Sequence, residues 1–246
     1  MKKEEYANME ALDNSHWWFL GMTAIMISSL DRFYAGRTDL CVLDAGCGTC
    51  WFSKALTKYG SVTALDIEPS LSSVCKQKGI ENFLVGDVQN IPLSDAMFDV
   101  IVCSEVLYHQ FIKDDAGVMK EFWRLLKPGG RVLVKVPAHM YLWGPHDEVN
   151  LTRHRYKKGE VNALFANNGF TVEFLTYANF FLFPIIFIKR MLDHVVPPTE
   201  NASDVQRVPA FLNGLLYIVL KLEATLLSKI LLPYGSSIIC VGKKHE

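Results

Sequence analysis

An acidic residue and two glycines at the end of an apolar run are the residues best suited to chemistry in this chain. The run reads Cys41-Val42-Leu43-Asp44-Ala45-Gly46-Cys47-Gly48. It predicts a buried strand that ends in a tight turn before a helix, which places backbone N–H groups and a helix N-terminus against a ligand. Glycine permits this close approach because it has no Cβ. Asp44 stands at the strand end, the edge of a parallel sheet where ligands bind.

The turn differs from the dinucleotide-binding fingerprint. That fingerprint has a third glycine or an alanine three residues after the second glycine, for close packing of helix on strand. Here that position is Trp51, and the acid at Asp44 would repel a pyrophosphate. The stretch therefore favours a nucleoside ligand that carries positive charge near the glycines.

Acidic residues also follow the next two predicted strands. Asp66 ends the strand 61–66, 18 residues after Gly48, close to the spacing at which a carboxylate meets ribose hydroxyls. A carboxylate can accept two hydrogen bonds from a vicinal diol. Asp87 follows the strand 82–86, where it could accept a hydrogen bond from the amine of an adenine with Val88 against the ring. Together with the glycine turn, these acids predict a ribonucleoside ligand.

Six cysteines are spread along the chain, and Cys47 and Cys50 form a CxxC pattern. Such a pair can be a redox couple or half of a zinc site. The sequence contains no second CxxC or Cys/His pair to complete a metal site, and the motif overlaps the glycine turn. We therefore interpret the cysteines as ordinary small residues of the core and loops, and we expect no metal.

The apolar pattern predicts alternating strands and helices that position these acids. The segment 98–103 is nearly continuous in apolar residues, as is typical of a parallel strand covered on both faces. Further strands are predicted at 131–136, 170–177 and 236–241, and helices at 10–35, 114–127 and 157–168. The helix 10–35 contains His16-Trp17-Trp18-Phe19, whose tryptophans are either core anchors or, with Trp18, part of a lid over the ligand.

Four sequence blocks resemble the class I S-adenosylmethionine-dependent methyltransferases. In order they are VLDAGCGTC, ALDIEPS, GDVQNIPLSDAMFDVIVCSEVLYH and LKPGGRVLVKVP. The resemblance covers about residues 38–177 and the final strand, and it is closest to the small-molecule branch that includes quinone-biosynthesis enzymes. It implies S-adenosylmethionine as cofactor and an α/β, Rossmann-like, seven-stranded, mostly parallel sheet with helices on both faces.

The resemblance also implies roles for individual residues. The acid and glycines of the turn would hold the methionine end of the cofactor and Asp66 the ribose. Asp87 and Val88 would contact the adenine, with Ile67 beside it. The expected cofactor-binding residues are Asp44, Gly46, Cys47, Gly48, Asp66, Ile67, Asp87, Val88, Ser104, Glu105 and Trp18. Two positions depart from related sequences: Tyr108 stands where an acid is common, and Gly21-Met22 stand where an arginine tends to follow the Trp-Trp pair.

The acceptor side is predicted from histidines and their neighbours. Methyl transfer to an oxygen requires the acceptor to lose a proton, and histidine is the natural base near neutral pH. His139 directly follows the strand 131–136 and is the first candidate, with His109 second; for each histidine a structural role is the alternative. The expected substrate contacts are Tyr108, His146, His154 and Tyr156.

About 58 residues separate the last two predicted strands, which is too long for a structureless loop. They form two apolar stretches around a polar loop at 197–204, and neither stretch reaches the roughly 20 apolar residues that span a bilayer. Three interpretations stay open. The stretches could form a cap over the acceptor pocket, a homodimer face, or a peripheral membrane contact through 179–232 that reaches a lipid-linked acceptor.

Charge and composition narrow the possible partners and the cellular location of the protein. A formal net charge of −1 gives no basic stripe for nucleic acid, and the polar N-terminus lacks a signal-peptide core, so we expect a cytoplasmic protein, at most peripheral at the inner membrane surface. We predict one domain, with an N-terminal helical lid at 1–37, a Rossmann-like core at 38–177 and 236–242, and an apolar helical insertion at 178–235. The expected function is O-methylation of a small-molecule, lipid-linked or glycan-linked acceptor. A non-catalytic S-adenosylmethionine-binding protein and a nicotinamide-dependent oxidoreductase are the alternatives.

Overall fold

A seven-stranded sheet forms the centre of the computed structural model, which describes residues 3–195 and 205–245. The strands are β1 Leu40–Ala45, β2 Gly60–Asp66, β3 Asn82–Val85, β4 Phe98–Ser104, β5 Leu126–Pro137, β6 Phe170–Ala178 and β7 Ser237–Lys244. Their order across the sheet is β3-β2-β1-β4-β5-β7-β6. The first five strands pair in parallel, and β7 runs antiparallel to β5 and β6. The predicted Rossmann-like, mostly parallel sheet is confirmed.

Helices cover both faces of this sheet. They are α1 Lys3–Leu12, α2 Trp17–Tyr34, α3 Trp51–Leu56, α4 Leu71–Gln77, α5 Asp115–Leu125, α6 Pro145–Val149, α7 Lys158–Ala166, α8 Phe183–Val195 and α9 Ala210–Leu227. Alternate strand residues point to opposite faces. In β5, Leu133 therefore joins the core formed with α2 and α9, while Val132 and Val134 join the core formed with α5 and α7.

The boundaries of α5 and β5 show how local signals and pairing divide the chain. Asp114 caps α5 by accepting a hydrogen bond from the Ala116 amide at 3.0 Å, which favours a helix start at that point. The helix ends at Leu125, and β5 begins at Leu126 rather than at the predicted residue 131, because Leu126 pairs with Phe98 before the register shifts. The Lys-Pro-Gly-Gly segment is therefore an irregular part of the strand.

The predicted helix 10–35 is two helices, α1 and α2. The chain breaks between them because Asp13 turns inward, where it accepts a hydrogen bond from the Thr49 hydroxyl at 2.7 Å and pairs with Lys78. His16 then caps α2 by accepting a hydrogen bond from the Trp18 amide at 3.3 Å. The break thus ties the N-terminal helices to the glycine turn.

Helices α8 and α9 are the described helices of the long insertion, and the predicted polar loop 197–204 lies outside the described residues. The inner face of α9 packs along α2, where the Ser28 hydroxyl donates to the Ala224 carbonyl at 2.6 Å and Trp17 donates its amide hydrogen to Asn213 at 2.9 Å. Glu223 is fully buried and accepts from the Asn179 and Phe181 amides. These contacts fix the insertion to the N-terminal helices.

By length and composition, α9 alone among the helices of the described ranges could cross a membrane. We expected no such segment. The helix has 18 residues, and its Leu220, Ala224 and Leu227 are buried against the rest of the chain. The inner face of α9 is therefore part of the protein core.

A disulfide joins Cys50 to Cys75, so the interpretation of all cysteines as ordinary small residues is wrong for these two. Cys50 immediately precedes α3 with a positive φ of 57°, and Cys75 lies in α4. The sulfurs of Cys47, Cys50 and Cys75 lie within 4.8 Å of one another, although Cys47 remains a thiol. The bond connects the helices that follow β1 and β2, beneath the glycine turn.

The packing of α9 on α2 requires glycine at position 21. A Cβ there would lie 2.3 Å from Leu220 Cδ1, so the close approach of α9 leaves no room for a side chain at this position. We expect Gly21→Ala to lower the free energy of unfolding by about 1–3 kcal/mol, because overpacking displaces α9. The matched control is Gly214→Ala in α9, where a Cβ meets no atom within 4 Å. Urea unfolding measures both; equal stability of the two variants would contradict the close approach.

The disulfide predicts a stability that depends on reductant. It closes a loop with a sequence separation of 25, a constraint that stabilises a native chain by roughly 3 kcal/mol through the unfolded state. We expect oxidised wild-type protein to lose stability on adding dithiothreitol, and Cys75→Ser to show no such loss. Urea unfolding with and without the reductant measures this. Reductant-independent stability of the wild type would show that the bond is not formed.

Candidate active site

A cavity of about 660 Å³ opens at the carboxyl ends of β1, β2 and β4. Its size lies in the range of small-molecule and cofactor sites. The glycine turn and the ends of β2 and β4 form its floor, while residues of α1, α2 and α8 line its upper walls. The fold therefore brings the predicted chemical residues, the N-terminal helices and the insertion around one space.

The glycine turn owes its shape to two different requirements. Gly46 has a φ of +82°, and a Cβ there would lie 2.2 Å from Val106 Cγ2, so the turn packs tightly on the residue after β4. Gly48 has a φ of +52°, and no atom lies within 4 Å of its Cβ position. Backbone N–H groups of Gly46 and Cys47 donate to the Leu65 carbonyl at 2.7 and 2.9 Å. Gly46 thus sets the turn, and Gly48 leaves open space on the cavity side.

Asp66 holds the turn and also faces the cavity. Its carboxylate accepts hydrogen bonds from the Gly48 amide at 2.9 Å and the Glu68 amide at 3.0 Å. Burial raises the pKa of this carboxyl, while those backbone donors act in the opposite direction. Each oxygen keeps a further lone pair for a ligand hydroxyl. Ile67, Asp87 and Val88 line the same end of the cavity.

Asp44 lies beneath the turn rather than on the cavity wall. It is 2 % exposed, and its carboxylate accepts a hydrogen bond from the Ser53 hydroxyl of α3 at 2.6 Å. Burial raises the pKa of Asp44 to about 7, and the nearby Asp66 carboxylate adds to the effect. A cationic ligand above the turn would therefore favour the ionised form of Asp44 without touching it.

Glu105 and Lys135 form an ion pair near the carboxyl ends of β4 and β5, and only Glu105 was predicted from the sequence. Ser104 and Glu105 were predicted here, but Lys135 was not, although it is 2 % exposed and lines the cavity. Burial lowers the pKa of Lys135 to about 7, and its ammonium lies 5.5 Å from the ring centre of Trp18. A lysine inside the apolar run Val-Leu-Val-Lys-Val was the available signal. Glu105 itself has a strained φ of 62°.

His109 and Ser104 present buried polar atoms without partners in the described chain. His109 lines the cavity, its ring hydrogen-bonds to the Asn150 backbone, and its Nδ1 has no partner. The Ser104 hydroxyl, on the same cavity wall, also has none. Burial lowers the pKa of His109 to about 4, so the ring is neutral at physiological pH. An unpartnered buried acceptor of this kind points to a ligand.

Polar residues of α6 and the segment after it complete this end of the cavity. Arg155 donates two hydrogen bonds to the Asp147 carboxylate, at 2.9 and 3.0 Å, and both residues are buried. His146 and Asn150 share a hydrogen bond of 2.8 Å. Tyr108, His146 and Arg155 all line the cavity. Arg155 and Asp147 were not predicted, because their pairing depends on a fold that joins α6 to the segment beyond it.

Besides Asp44, three predicted residues lie outside the cavity lining. His139, the first candidate for the base, stacks between tyrosines, with its ring centre 4.6 Å from that of Tyr234. His154 lies at the surface, 3.1 Å from the Glu160 carboxylate. Tyr156 donates its hydroxyl to Asp115 at 2.8 Å, on the side of the sheet that holds α5. These residues miss the predicted site because the backbone after β5 turns their side chains away from the glycine turn.

The N-terminal helices and the insertion close the cavity from above. Tyr6, Trp17, Trp18 and Met22 line it from α1 and α2. From the described part of the insertion, the lining residues are Leu182, Ile185, Ile186, Lys189, Arg190, Val205 and Leu216. The two groups are joined, because the His16 ring hydrogen-bonds to the Gln206 carbonyl at 3.0 Å. The lid and the insertion therefore form one cover.

Comparison with known proteins agrees with this geometry. Residues 43–134 match a family model described as methyltransferase domain. Malonyl-[acyl-carrier protein] O-methyltransferase of Serratia marcescens is 38 % identical over 99 residues, which are 39 % of this chain and 38 % of that protein. Ubiquinone biosynthesis O-methyltransferase of Xylella fastidiosa strain 9a5c is 39 % identical over 100 residues, 38 % of this chain and 40 % of that protein. The chain thus spans about two fifths of the length of these curated relatives.

The fold also matches solved structures. One match is a chain from the solved complex between the Haloferax volcanii Trm112 methyltransferase activator and the putative methyltransferase. It superposes with a TM-score of 0.63 at 20 % identity, and the match covers 99 % of this chain and 95 % of that one. At such identity the likeness concerns the fold alone, while the domain match covers the glycine turn, Asp66, Asp87 and Ser104. Over residues 43–134 the chain is therefore similar to the class I S-adenosylmethionine-dependent methyltransferases, a family whose cofactor is S-adenosylmethionine.

Proposed function

We propose that the protein transfers the methyl group of S-adenosylmethionine to an oxygen of a small-molecule or lipid-linked acceptor. The observation that carries this proposal is that one cavity joins Gly48 and Asp66 at one end to Ser104 and His109 at the other. Both curated relatives are named O-methyltransferases, which supports oxygen as the receiving atom.

The residues at the turn fit the cofactor. The ribose diol needs acceptor atoms, and Asp66 has carboxylate lone pairs left after its two backbone hydrogen bonds. The open space over Gly48 admits the amino-acid end, and the sulfonium charge suits a site with Asp44 and Asp66 beneath it. When bound, the cofactor supplies an activated methyl group with a neutral leaving group.

The chain contributes position and exclusion of water. An in-line displacement needs the acceptor oxygen opposite the leaving sulfur, and fixed orientation accounts for much of the rate in such reactions. The joined cover of lid and insertion keeps solvent from the reacting atoms. Ser104 borders the site where the cofactor and acceptor halves of the cavity meet.

His109 is the residue that we assign as the general base. His109 lines the cavity, and its neutral ring has a buried, unpartnered Nδ1 lone pair that we assign to receive the proton of an acceptor hydroxyl. His139 has a buried, unpartnered Nε2, but it lies among tyrosines outside the lining. We therefore rank His109 above His139, the reverse of the order predicted from sequence.

For the insertion we propose two roles, a cap over the acceptor end and a contact with the inner membrane surface. The cap is supported by seven described lining residues from 182–216. The membrane contact would place this otherwise cytoplasmic protein beside a lipid-linked acceptor. A homodimer face is the competing use of the same outer surface. No nucleic-acid partner is proposed, given the formal net charge of −1.

Removal of the Asp66 carboxylate tests the cofactor site. We expect Asp66→Ala to weaken S-adenosylmethionine binding by about 1.5 kcal/mol or more, which is roughly tenfold, because hydrogen bonds to a charged group are lost. Asp95→Ala is the control, since its carboxylate is exposed and pairs with Arg124 away from the cavity. Calorimetry measures both. Unchanged affinity in folded Asp66→Ala would remove the ribose assignment.

Replacement of His109 tests the chemistry. We expect His109→Ala to lower kcat by about 10²–10⁴-fold with little change in S-adenosylmethionine affinity, because a positioned base is lost. In the wild type, activity should fall only as the pH drops toward about 4, since the base is inactive once protonated. S-adenosylhomocysteine release from an acceptor screen provides the readout.

The surface residue His154 supplies the matched control, and His154→Ala should behave as wild type. Cofactor binding without release of S-adenosylhomocysteine from any acceptor would favour the non-catalytic alternative instead. An acid limb near the ordinary histidine pKa, retained in His109→Ala, would assign the base elsewhere.

A further inference from the structure

We propose that α8 and α9 dock the protein on an anionic membrane surface and that the acceptor enters the cavity from the lipid side. Two rows of residues define the docking surface. The α8 stripe consists of Ile185, Ile188, Leu192 and Val195, and the α9 stripe of Phe211, Leu215, Ile218, Leu222 and Leu226. The entry route rests on the proposed methyl transfer, whereas the docking surface does not.

Both stripes follow the helical period and face away from the protein. Residues spaced three or four apart lie on one side of a helix. In the α8 stripe the exposed fractions run from 59 % to 78 %, and in the α9 stripe from 39 % to 85 %. The opposite side of α9 is buried on α2, as Leu220 and Leu227 show. Each stripe is therefore an outer apolar face of a helix, and packing within the protein does not account for its apolar residues.

The exposure is concentrated in the insertion. Sixteen of the 23 large apolar side chains that are exposed within the described ranges lie between residues 181 and 234. Isolated exposed apolar residues are normal, but a contiguous apolar face on this scale marks an interaction site. The occupant of this surface must therefore be apolar over the length of a helix, about 27 Å for α9.

The charges beside the stripes identify that occupant. Lys189, Arg207, Lys221 and Lys229 are exposed in the described part of the insertion. The described acids there are withdrawn, because Glu223 is fully buried and Asp193 pairs with Arg190 at 3.1 Å and with Lys189 at 3.8 Å. An apolar helix face flanked by lysine and arginine is typical of helices that lie in the interface of an anionic bilayer. A second copy of this chain would instead bring like charges together.

The helices lie along the membrane in this arrangement and do not cross it. Glu223, near the C-terminal end of α9, is held inside the protein by the Asn179 and Phe181 amides. The inner side of α9 also carries hydrogen bonds to α2, including Arg32 to the Leu227 carbonyl at 3.1 Å. Insertion across a bilayer would break these contacts and place a buried acid in hydrocarbon, which is costly.

One residue connects the docking surface to the active site. Ile185 is 64 % exposed as part of the α8 stripe, and it also lines the cavity. Leu182, Ile186 and Leu216 continue the apolar lining inward from it. This path suits an acceptor whose polar head reaches Ser104 and His109 while an apolar tail remains toward the bilayer. The substrate class is therefore an amphiphile.

Vesicle co-sedimentation of the full chain tests the docking. The vesicles are phosphatidylcholine alone, or phosphatidylcholine and phosphatidylglycerol in equal parts. We expect the protein to bind the second set of vesicles, and salt to weaken this binding. Leu222→Glu and Ile188→Glu should each bind at least about tenfold more weakly, because each adds a charge where the apolar side chain would be buried in lipid. Met97→Glu is the matched control, since Met97 is 40 % exposed outside the insertion, and it should bind as wild type.

Two further measurements separate the possible failures. S-adenosylmethionine affinity, from calorimetry, should be the same in all variants. Retained affinity with no binding to either vesicle would overturn the docking and leave the proposed methyl transfer intact, whereas vesicle binding without cofactor binding would overturn the methyl transfer and leave the docking intact. Analytical ultracentrifugation tests whether a second copy of the chain covers the docking surface instead. A dimer that Leu222→Glu converts to monomer would assign the stripes to a second copy and overturn the membrane proposal.

Discussion

The hydrogen bond from the Gly48 amide to the Asp66 carboxylate is the contact on which the active site depends. It joins the turn after β1 to the end of β2 at 2.9 Å, beside the bonds from Gly46 and Cys47 to Leu65. Through it, one carboxylate both fixes the loop and faces the ligand. The cost is a pair of buried acids, Asp44 and Asp66, whose repulsion a cationic sulfonium would relieve. Loop geometry and ligand charge are thus coupled.

The rest of the structure is tied to this turn from above. Thr49, one residue after Gly48, donates to Asp13 at the break between α1 and α2, and α2 in turn carries α9. The disulfide between Cys50 and Cys75 adds a covalent connection on the other side of the turn. A displacement of the insertion would therefore reach the cofactor loop through α2. The helices that cover the cavity are therefore connected by direct contacts to the glycine turn that forms its floor.

Sequence predicted well where the constraint is local, and less well where it arises from folding. The glycine turn, Asp66 and Asp87 follow strand ends in the chain, so their positions at one sheet edge could be inferred directly. His139 also follows a strand, but the backbone turns it into a tyrosine cluster, and the pairing of Arg155 with Asp147 exists only after α6 folds back. Cys75 lies 25 residues from its partner, with no local signal for the bond.

The two roles proposed for the insertion place opposite requirements on it. A cap must be held firmly, and α9 achieves this through a buried face, with Gly21 allowing the closest approach to Leu220. A membrane contact needs an apolar outer face, which a protein free in water must tolerate at the risk of association. Helix periodicity resolves the conflict because residues three or four apart share one side. Leu222 can therefore remain exposed next to buried Glu223, and one helix serves the core and the outer surface together.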